Sequence, residues 1–278
     1  MQATELIDLH RYPIDSDSPS YDALVTEVRS QLGRDGCAVL KGFLTAAGVQ
    51  QLRKEADSVA QFGHRQKNRT NPYFTTDNPS LPADDPRRCF FDRSNIFIAA
   101  DNFKPDGALR RIHDFAGFDP FIQDCLEEKK FYRYADPLAD VIVNMAEEGN
   151  GFPWHFDTNN FTVTLAIQNA ESGGAFEYAA NIRGETENFA AVKKVLSGRS
   201  KQVTRIDLQP GDLQLFRGRN SLHRVAPLSG ERPRYVAIFS YVEEPGMVGS
   251  PERTRQLYGK VLPIHFERMS HRNDGLID

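Results

Sequence analysis

The chain has 278 residues, 40% of them hydrophobic and 26% charged, a composition that excludes a disordered protein. A formal net charge of −4 argues against nucleic acid or an anionic membrane as the main partner, so a small-molecule substrate is the better expectation. No apolar run approaches the roughly 18 residues of a membrane span, and the three cysteines form no Cys-x-x-Cys pair, which together favour a reducing cytoplasm.

Helices and loops dominate the predicted elements of the first 138 residues. Apolar residues at helical spacing predict a helix over Tyr21–Leu32, and a short apolar run predicts a strand over Cys37–Phe43. Thr45 has the side chain of an N-cap and predicts a helix that runs to about Gln61. The polar, proline-containing stretch Gly63–Asp92 predicts a long loop, of the kind that is usually functional or disordered.

Three more elements are predicted before residue 139. Arg93–Asn102 has the composition of a strand, and Asp106–Phe118 and Phe121–Lys129 have the pattern of helices. Asp119-Pro120 lies between the last two segments and predicts a break between the helices.

Short β-branched and aromatic runs alternate with turn signals from about Ala139 onward. They predict the strands Val141–Met145, Phe161–Ile167, Ala175–Tyr178, Gln202–Leu208, Asp212–Phe216, His223–Ala226 and Tyr235–Val242. Short strands in such a series are typical of an antiparallel sandwich or jelly roll. We therefore expect one domain that is mainly β with α: an N-terminal helical and loop part at 1–138, a catalytic core at 139–245 with a helical insertion near 184–198, and a C-terminal helical extension at 246–278.

The segment Phe152-Pro-Trp-His-Phe-Asp157 contains the first candidate site. Residues two apart on an extended strand share a face, so His155 and Asp157 would present an imidazole and a carboxylate together. A second, distant histidine would complete the set of two histidines and one carboxylate that holds non-haem Fe(II) and leaves coordination positions open. His223 is the candidate, because a sandwich can return it opposite the first pair. In isolation, a surface pair would explain His155 and Asp157 equally well.

An arginine beyond His223 supplies the second candidate feature. Arg234, Val236, Ile238 and Ser240 share one face of the return strand of a hairpin, and an inward guanidinium there can hold a carboxylate in a bidentate manner. A 2-oxo acid co-substrate needs such an anchor for its far carboxylate. Arg232 is the alternative, because alternation lets it face the same way, but the intervening proline and the nearby turn favour Arg234.

His155-x-Asp157, then His223 and then Arg234 resemble the Fe(II)/2-oxoglutarate-dependent dioxygenase superfamily. This resemblance covers roughly Val141–Val242 and implies a double-stranded β-helix, or jelly roll, with the N-terminal helices packed on it. It also implies Fe(II), O₂ and the co-substrate 2-oxoglutarate, with His155, Asp157 and His223 as catalytic metal ligands and Arg234 as the co-substrate anchor.

A narrower resemblance is to the bacterial subfamily of free-amino-acid halogenases and their hydroxylase relatives. It rests on three segments, Trp154–Asp157, Phe161–Leu165 and Glu171–Tyr178. The halogenases have glycine or alanine where this chain has Asp157, which vacates a coordination position for chloride. Because the carboxylate is present here, the resemblance implies hydroxylation of an unactivated C–H bond of a small, amino-acid-like metabolite, with release of succinate and CO₂.

Other residues and outcomes stay open at this point. Asn144 is a candidate for hydrogen-bonding the co-substrate and Thr164 for lining the pocket, although satisfaction within the sheet explains both nearly as well. Desaturation, cyclisation or epoxidation would use the same cofactors. A non-oxidative, cupin-like protein that binds a metal or a small acid is the alternative from another class.

Four residues are candidates for contacts with the main substrate. Ser240 and Tyr258 are two of them, because the enzymes that the chain resembles draw substrate contacts from this part of the sequence. Arg88 and Arg93 are candidates for binding a substrate carboxylate from a lid, against the alternative of a solvated surface. The oligomeric state and the identity of the substrate are not predicted.

Overall fold

A computed structural model describes residues 2–159, 161–268 and 276–277 of the chain. Its α-helices are α1 Ala3–Leu6, α2 Tyr21–Asp35, α3 Ala46–Val59, α4 Ala108–His113, α5 Phe118–Leu126, α6 Phe189–Leu196, α7 Pro251–Tyr258 and α8 Pro263–Glu267. Its strands are β1 Cys37–Leu40, β2 His64–Thr70, β3 Phe91–Ile98, β4 Tyr132–Arg133, β5 Val141–Ala146, β6 Phe152–His155, β7 Thr162–Gln168, β8 Ser172–Gly173, β9 Phe176–Ala179, β10 Val203–Ile206, β11 Leu213–Phe216, β12 Leu222–Val225, β13 Leu228–Ser229, β14 Arg234–Phe239 and β15 Tyr241–Val242.

Two antiparallel sheets form the core. The larger sheet has the strand order β1-β11-β7-β14-β5-β3-β2, and the smaller has the order β10-β9-β12-β6. Short pairs, β13 with β8 and β15 with β4, accompany them. The expected fold class, mainly β with α on a jelly-roll core, is confirmed.

Alternation along the strands gives the larger sheet two different faces. On β14, Ala237 and Phe239 belong to the main hydrophobic cluster, together with Leu52 of α3 and Leu109 of α4. Val236 of the same strand points to the opposite side, into a cavity between the two sheets. The N-terminal helices therefore cover one face of the larger sheet, and the other face is left for the cavity.

The N-cap predicted at Thr45 is confirmed. Thr45 has an extended backbone, and its hydroxyl oxygen accepts a hydrogen bond from the amide of Gly48 at 3.0 Å. α2 also lies where the apolar spacing predicts a helix, and it ends at Gly36, whose φ of 67° is the left-handed conformation that glycine adopts readily. Local sequence signals are sufficient at these two helix ends.

Two predictions in the N-terminal part are wrong. His64–Thr70, predicted as loop, is the edge strand β2 of the larger sheet. Its polar composition conceals it, because a strand at a sheet edge need not carry the apolar residues of a central strand. The break predicted at Asp119-Pro120 is absent: α5 begins at Phe118 and contains both residues, since proline is tolerated in the first turn of a helix.

The C-terminal extension predicted over 246–278 contains α7 and α8. Residues 269–275 and 278, which belong to the same prediction, lie outside the described residues. In the described ranges, the structure has no helix that is both long enough and apolar enough to cross a bilayer.

His113 is a buried histidine at the end of α4 that makes the stability of the fold depend on pH. Its ring lies 5.5 Å from that of Phe239 and 6.1 Å from that of Tyr241, and its two nitrogens have no hydrogen-bond partner in the described part of the chain. Burial lowers the pKa of His113 from 6.5 to about 4. Between about pH 6.5 and 4, the unfolded chain therefore binds a proton at this position that the folded chain does not.

The free energy of unfolding should consequently fall as the pH drops from about 6.5 to 4, and His113 should account for up to roughly 3 kcal/mol of that loss. His113→Phe keeps the aromatic contacts and removes the titration, so we expect a flatter pH profile in chemical denaturation. His10→Gln, a change at an exposed histidine, is the control and should keep the wild-type profile. Equal slopes for wild type and His113→Phe would contradict the assignment.

Candidate metal centre

Three side chains that are distant in the sequence meet at the β12–β6 edge of the smaller sheet. β6 pairs with β12, and the register places His155 opposite His223. Asp157 follows two residues after the end of β6, and its Oδ1 lies 3.5 Å from Nε2 of His155 and 3.4 Å from Nε2 of His223. One ligand atom from each residue lies within 4.8 Å of the other two. These atoms can therefore converge on one metal ion.

The backbone sets the orientation of both imidazole rings. Nδ1 of His155 lies 2.8 Å from the carbonyl oxygen of Pro153, and Nδ1 of His223 lies 2.9 Å from that of Ser221. A carbonyl oxygen only accepts, so Nδ1 carries the proton in each ring and Nε2 presents a lone pair toward Asp157. Hydrogen bonds of this kind fix the tautomer and the ring direction of metal-binding histidines.

The protonation states suit metal binding. Burial lowers the pKa of His155 to about 4, so that this ring is neutral at neutral pH. Burial alone would raise the pKa of Asp157. Protonation of His223 or His155 would place a charge and a hydrogen-bond donor beside the carboxylate, and these effects outweigh burial and hold the pKa of Asp157 well below its usual range, so the carboxylate is ionised before the rings lose their protons. A neutral imidazole and an ionised carboxylate are the forms that bind a divalent cation.

Asp157 itself lies beyond β6 and is held by hydrogen bonds to residues outside that strand. β6 ends at His155, two residues earlier than the sequence predicts, and the amide of Asp157 donates to the carbonyl oxygen of Gly218 at 3.1 Å. The hydroxyl of Thr162 donates to Oδ2 of Asp157. The first carboxylate oxygen, Oδ1, is thereby left to face the histidines.

Gly218 leaves space that this carboxylate needs. A Cβ atom at position 218 would overlap Oδ2 of Asp157. We expect Gly218→Ala to displace the carboxylate and lower the affinity for Fe(II) by about 10- to 100-fold, the usual cost of disturbing a partner of a metal ligand. Titration of the metal-free protein with Fe(II) measures this affinity. Gly184→Ala, where an added Cβ meets nothing within 4 Å, is the control and should keep wild-type affinity; unchanged affinity of Gly218→Ala would refute the argument.

A cavity of about 200 Å³ lies beside these residues, between the two sheets. Arg234, on β14 of the larger sheet, lines it and is 6% exposed. Burial lowers the pKa of its guanidinium to about 10, so the group stays charged at neutral pH. Within residues 2–159, 161–268 and 276–277, no carboxylate pairs with it. Arg232, the alternative, lies outside the cavity and donates to the carbonyl oxygens of Asn169 and Ala170.

Asn144 and Thr164 line the same cavity, on the strands that flank Arg234 in the larger sheet. Asn144 Nδ2 donates to the carbonyl oxygen of Ile96 at 3.3 Å, and the Thr164 hydroxyl donates to Oε1 of Gln214 at 3.0 Å. Both side chains are therefore partly satisfied within the sheet and still border the cavity.

Of the four residues predicted to contact the main substrate, the structure brings Arg93 to the cavity. Arg88 instead pairs with Asp77 in a surface loop, with Nε 3.0 Å from the carboxylate. Ser240 follows the end of β14, and six residues of extended chain place it roughly 20 Å from Arg234. Tyr258 is buried against Phe97 beneath the cavity wall.

Several residues that line the cavity were not predicted from the sequence, among them residues of α7 and of the loop before β3. Arg253 and Leu257 of α7 line the cavity, as does Phe74. Helical spacing could have identified the pair on α7, since residues four apart share a face and Tyr258 lies on another. No comparable local signal marks Phe74.

The donor set fits the cofactors that the chain is expected to use. Two imidazoles and one carboxylate that leave positions open are typical of non-haem Fe(II). The buried guanidinium of Arg234, with which no carboxylate of the described ranges pairs, fits the far carboxylate of 2-oxoglutarate.

The Halogenase D family model matches residues 20–253 of the chain. Among curated proteins, none matches. A 2-oxoglutarate/Fe(II) oxygenase-family oxidoreductase from Burkholderia pseudomallei is 12% identical, with a TM-score of 0.51 over 79% of this chain and 91% of the other. The α-ketoglutarate-dependent epimerase SnoN from nogalamycin biosynthesis is 14% identical, with a TM-score of 0.56 over 80% and 82%. A prolyl hydroxylase from Trichoplax adhaerens is 17% identical, with a TM-score of 0.52 over 82% and 94%. At these identities the structures show a shared fold.

Proposed function

The chain belongs to the Halogenase D family, and from that membership we propose that this non-haem Fe(II)/2-oxoglutarate-dependent oxygenase hydroxylates an unactivated C–H bond of a small, amino-acid-like metabolite. The observation that carries the proposal is Asp157, whose carboxylate stands within 3.5 Å of both histidines. A halogenase of this kind needs that position open for chloride. With the carboxylate present, hydroxylation is the better-supported outcome.

His155, Asp157 and His223 would hold the iron. When bound, Fe(II) and 2-oxoglutarate together activate O₂, and 2-oxoglutarate leaves as succinate and CO₂. The hydrogen bonds from the two Nδ1 atoms to Pro153 and Ser221 keep the rings aimed before any metal arrives, so little reorganisation accompanies binding.

Arg234 would hold the far carboxylate of 2-oxoglutarate, with Asn144 and Thr164 beside it. A guanidinium can donate two parallel hydrogen bonds to a carboxylate, which fixes direction as well as position. The absence of a protein carboxylate beside Arg234 in the described ranges supports this role. Because β5 and β7 flank β14, the anchor stands on a central strand and can position the co-substrate tightly.

The main substrate would approach from the side of Arg93 and Phe74, which border the cavity beyond the metal ligands. Arg93 would bind the carboxylate that an amino-acid-like substrate carries.

The cysteines bear on the cellular location. Cys37, Cys89 and Cys125 are unpaired, which supports the proposed cytoplasmic setting.

The test is a mass-spectrometric screen of amino acids and pooled metabolites with Fe(II), ascorbate, O₂ and 2-oxoglutarate. We expect a 16-dalton gain in one substrate that depends on both iron and 2-oxoglutarate, with succinate formed in parallel. Added chloride should yield no chlorinated product. A chlorinated product would contradict the role given to Asp157, and the absence of succinate with every substrate would favour the non-oxidative binding protein.

A further inference from the structure

We propose that the main substrate is a dicarboxylic amino acid, and that Arg93 and Arg253 each receive one of its two carboxylates. The inference rests on the proposed function, because it concerns the substrate of the same site. It goes further in naming the charge of that substrate and in assigning Arg253 a binding role.

Arg93 is a buried cation with no anionic partner among the described residues. It is 3% exposed on β3, and its Nη1 and Nη2 atoms have no hydrogen-bond partner in the part of the chain that the structure describes. Nε donates to Oδ1 of Asn95 at 3.2 Å, and the guanidinium carbon lies 4.0 Å from the centre of the Phe152 ring. An aromatic face attracts the cation but does not satisfy its donors. A ligand with an acidic group would supply what is missing.

Arg253 brings a second guanidinium to the same place. Its guanidinium carbon lies 4.5 Å from the centre of the Phe74 ring, and that of Arg93 lies 5.5 Å from the same centre. The two carbons are therefore no more than about 10 Å apart. Nη1 of Arg253 donates to the neutral side chain of Gln256 at 3.2 Å, and no carboxylate of the described residues pairs with it.

The two arginines also affect each other. Burial, and then the charge of Arg253, lower the pKa of Arg93 well below its usual range. Burial likewise lowers the pKa of Arg253. Two cations held close together with little access to water repel, and an anion bound between or beside them removes that cost.

A count of charges around the cavity favours a substrate whose net charge is negative. Among the described residues, three guanidiniums line the cavity, those of Arg93, Arg234 and Arg253, against one carboxylate, that of Asp157. Fe(II) and the dianion of 2-oxoglutarate would add equal and opposite charges, so the excess of two positive charges persists. Glu252 does not reduce it, because it is exposed and lines only the adjoining outer opening. The two carboxylates and the ammonium group of a dicarboxylic amino acid sum to a net charge of −1, which lowers the excess, whereas the amide of the same amino acid is neutral overall and leaves it unchanged.

The test compares acids with their amides, which have nearly the same shape. Calorimetry under anaerobic conditions measures binding of aspartate, glutamate and 2-aminoadipate, and of asparagine and glutamine, to the full chain with Fe(II). Saturating 2-oxoglutarate is present throughout, so that the acidic probes do not bind at Arg234. We expect aspartate or glutamate to bind about 10- to 100-fold more tightly than its own amide, the usual effect of losing a hydrogen-bonded charge.

Variants test whether Arg253 is responsible for the preference for acids over amides. Arg253→Gln should make the acid and its amide bind equally, whereas Arg255→Gln, at an exposed arginine of the same helix, should keep the wild-type ratio. The inference would be overturned if the wild-type protein bound each acid no more tightly than its amide, or bound no acid at all. Both outcomes are measured on the wild type, so they do not depend on whether a variant folds. Succinate formation with another substrate would then leave the proposed function standing, and its absence with all substrates would refute that function instead.

Discussion

Asp157→Ala should abolish hydroxylation and leave the fold intact. The carboxylate is one of three candidate ligands, and its Oδ1 lies 3.4 Å from His223 Nε2 and 3.5 Å from His155 Nε2. Its removal takes away the one carboxylate among the three candidate ligands. The affinity for Fe(II) should therefore fall by more than the roughly 10- to 100-fold that accompanies loss of a group that only hydrogen-bonds to a ligand. Metal content, succinate formation and the thermal midpoint are measured on the same preparation.

The fold should survive because Asp157 lies in a loop, beyond the end of β6, and supports no apolar cluster. Asp207→Ala, which removes an exposed carboxylate near Arg205, is the control and should keep full activity and metal content. Wild-type turnover by Asp157→Ala would show that this carboxylate is not a ligand.

Arg234→Ala should raise the concentration of 2-oxoglutarate needed for turnover by a large factor. Truncation of one member of a buried charge pair costs about 2–5 kcal/mol, equivalent to a factor between about 30 and several thousand in the dissociation constant. The site is buried, so water cannot replace the lost donors cheaply. Calorimetric titration with 2-oxoglutarate, alongside the apparent KM, measures the change.

Two comparisons isolate the cause. Arg232→Ala removes the neighbouring arginine, which donates only to backbone carbonyls outside the cavity, and should bind 2-oxoglutarate as the wild type does. 2-Oxobutyrate keeps the keto-acid end and lacks the far carboxylate, so Arg234→Ala should bind it as well as the wild type does. If Arg232→Ala instead shows the large effect, the anchor is Arg232.

Local and alternating patterns account for most of what the sequence predicts correctly. The strands of the core follow from short apolar runs between turns, and the alternation on β14 correctly separates Arg234 and Val236 from Ala237. A cap such as Thr45 acts within one turn of helix, so its effect is visible in a few residues. The approach of His223 to His155 also follows from the expected sandwich, although the sequence alone gives no register.

Features that depend on distant packing were not predictable in this way. β2 pairs with a neighbouring strand on one side only, β3, and most of its residues are exposed or half-buried, so no run of apolar residues marks it. On α7, the sequence predicts Tyr258 as a substrate contact, whereas the structure brings Arg253 and Leu257 to the cavity; helical spacing groups these two residues on one face but does not show that this face meets the cavity. Arg88 and Arg93 illustrate the same limit: they lie five residues apart, yet one pairs with a surface carboxylate and the other is buried.

The two ends of the cavity are built on different kinds of support. Arg234 stands on a strand with hydrogen-bonded neighbours on both sides, whereas Arg253 stands on α7, which belongs to neither sheet. A change of α7 alone would thus replace Arg253 and Leu257, which are part of the surface that meets the main substrate, and would leave the iron ligands and Arg234 unchanged. Such an arrangement lets relatives with the same oxidising core diverge in the molecules they accept by exchanging one eight-residue helix.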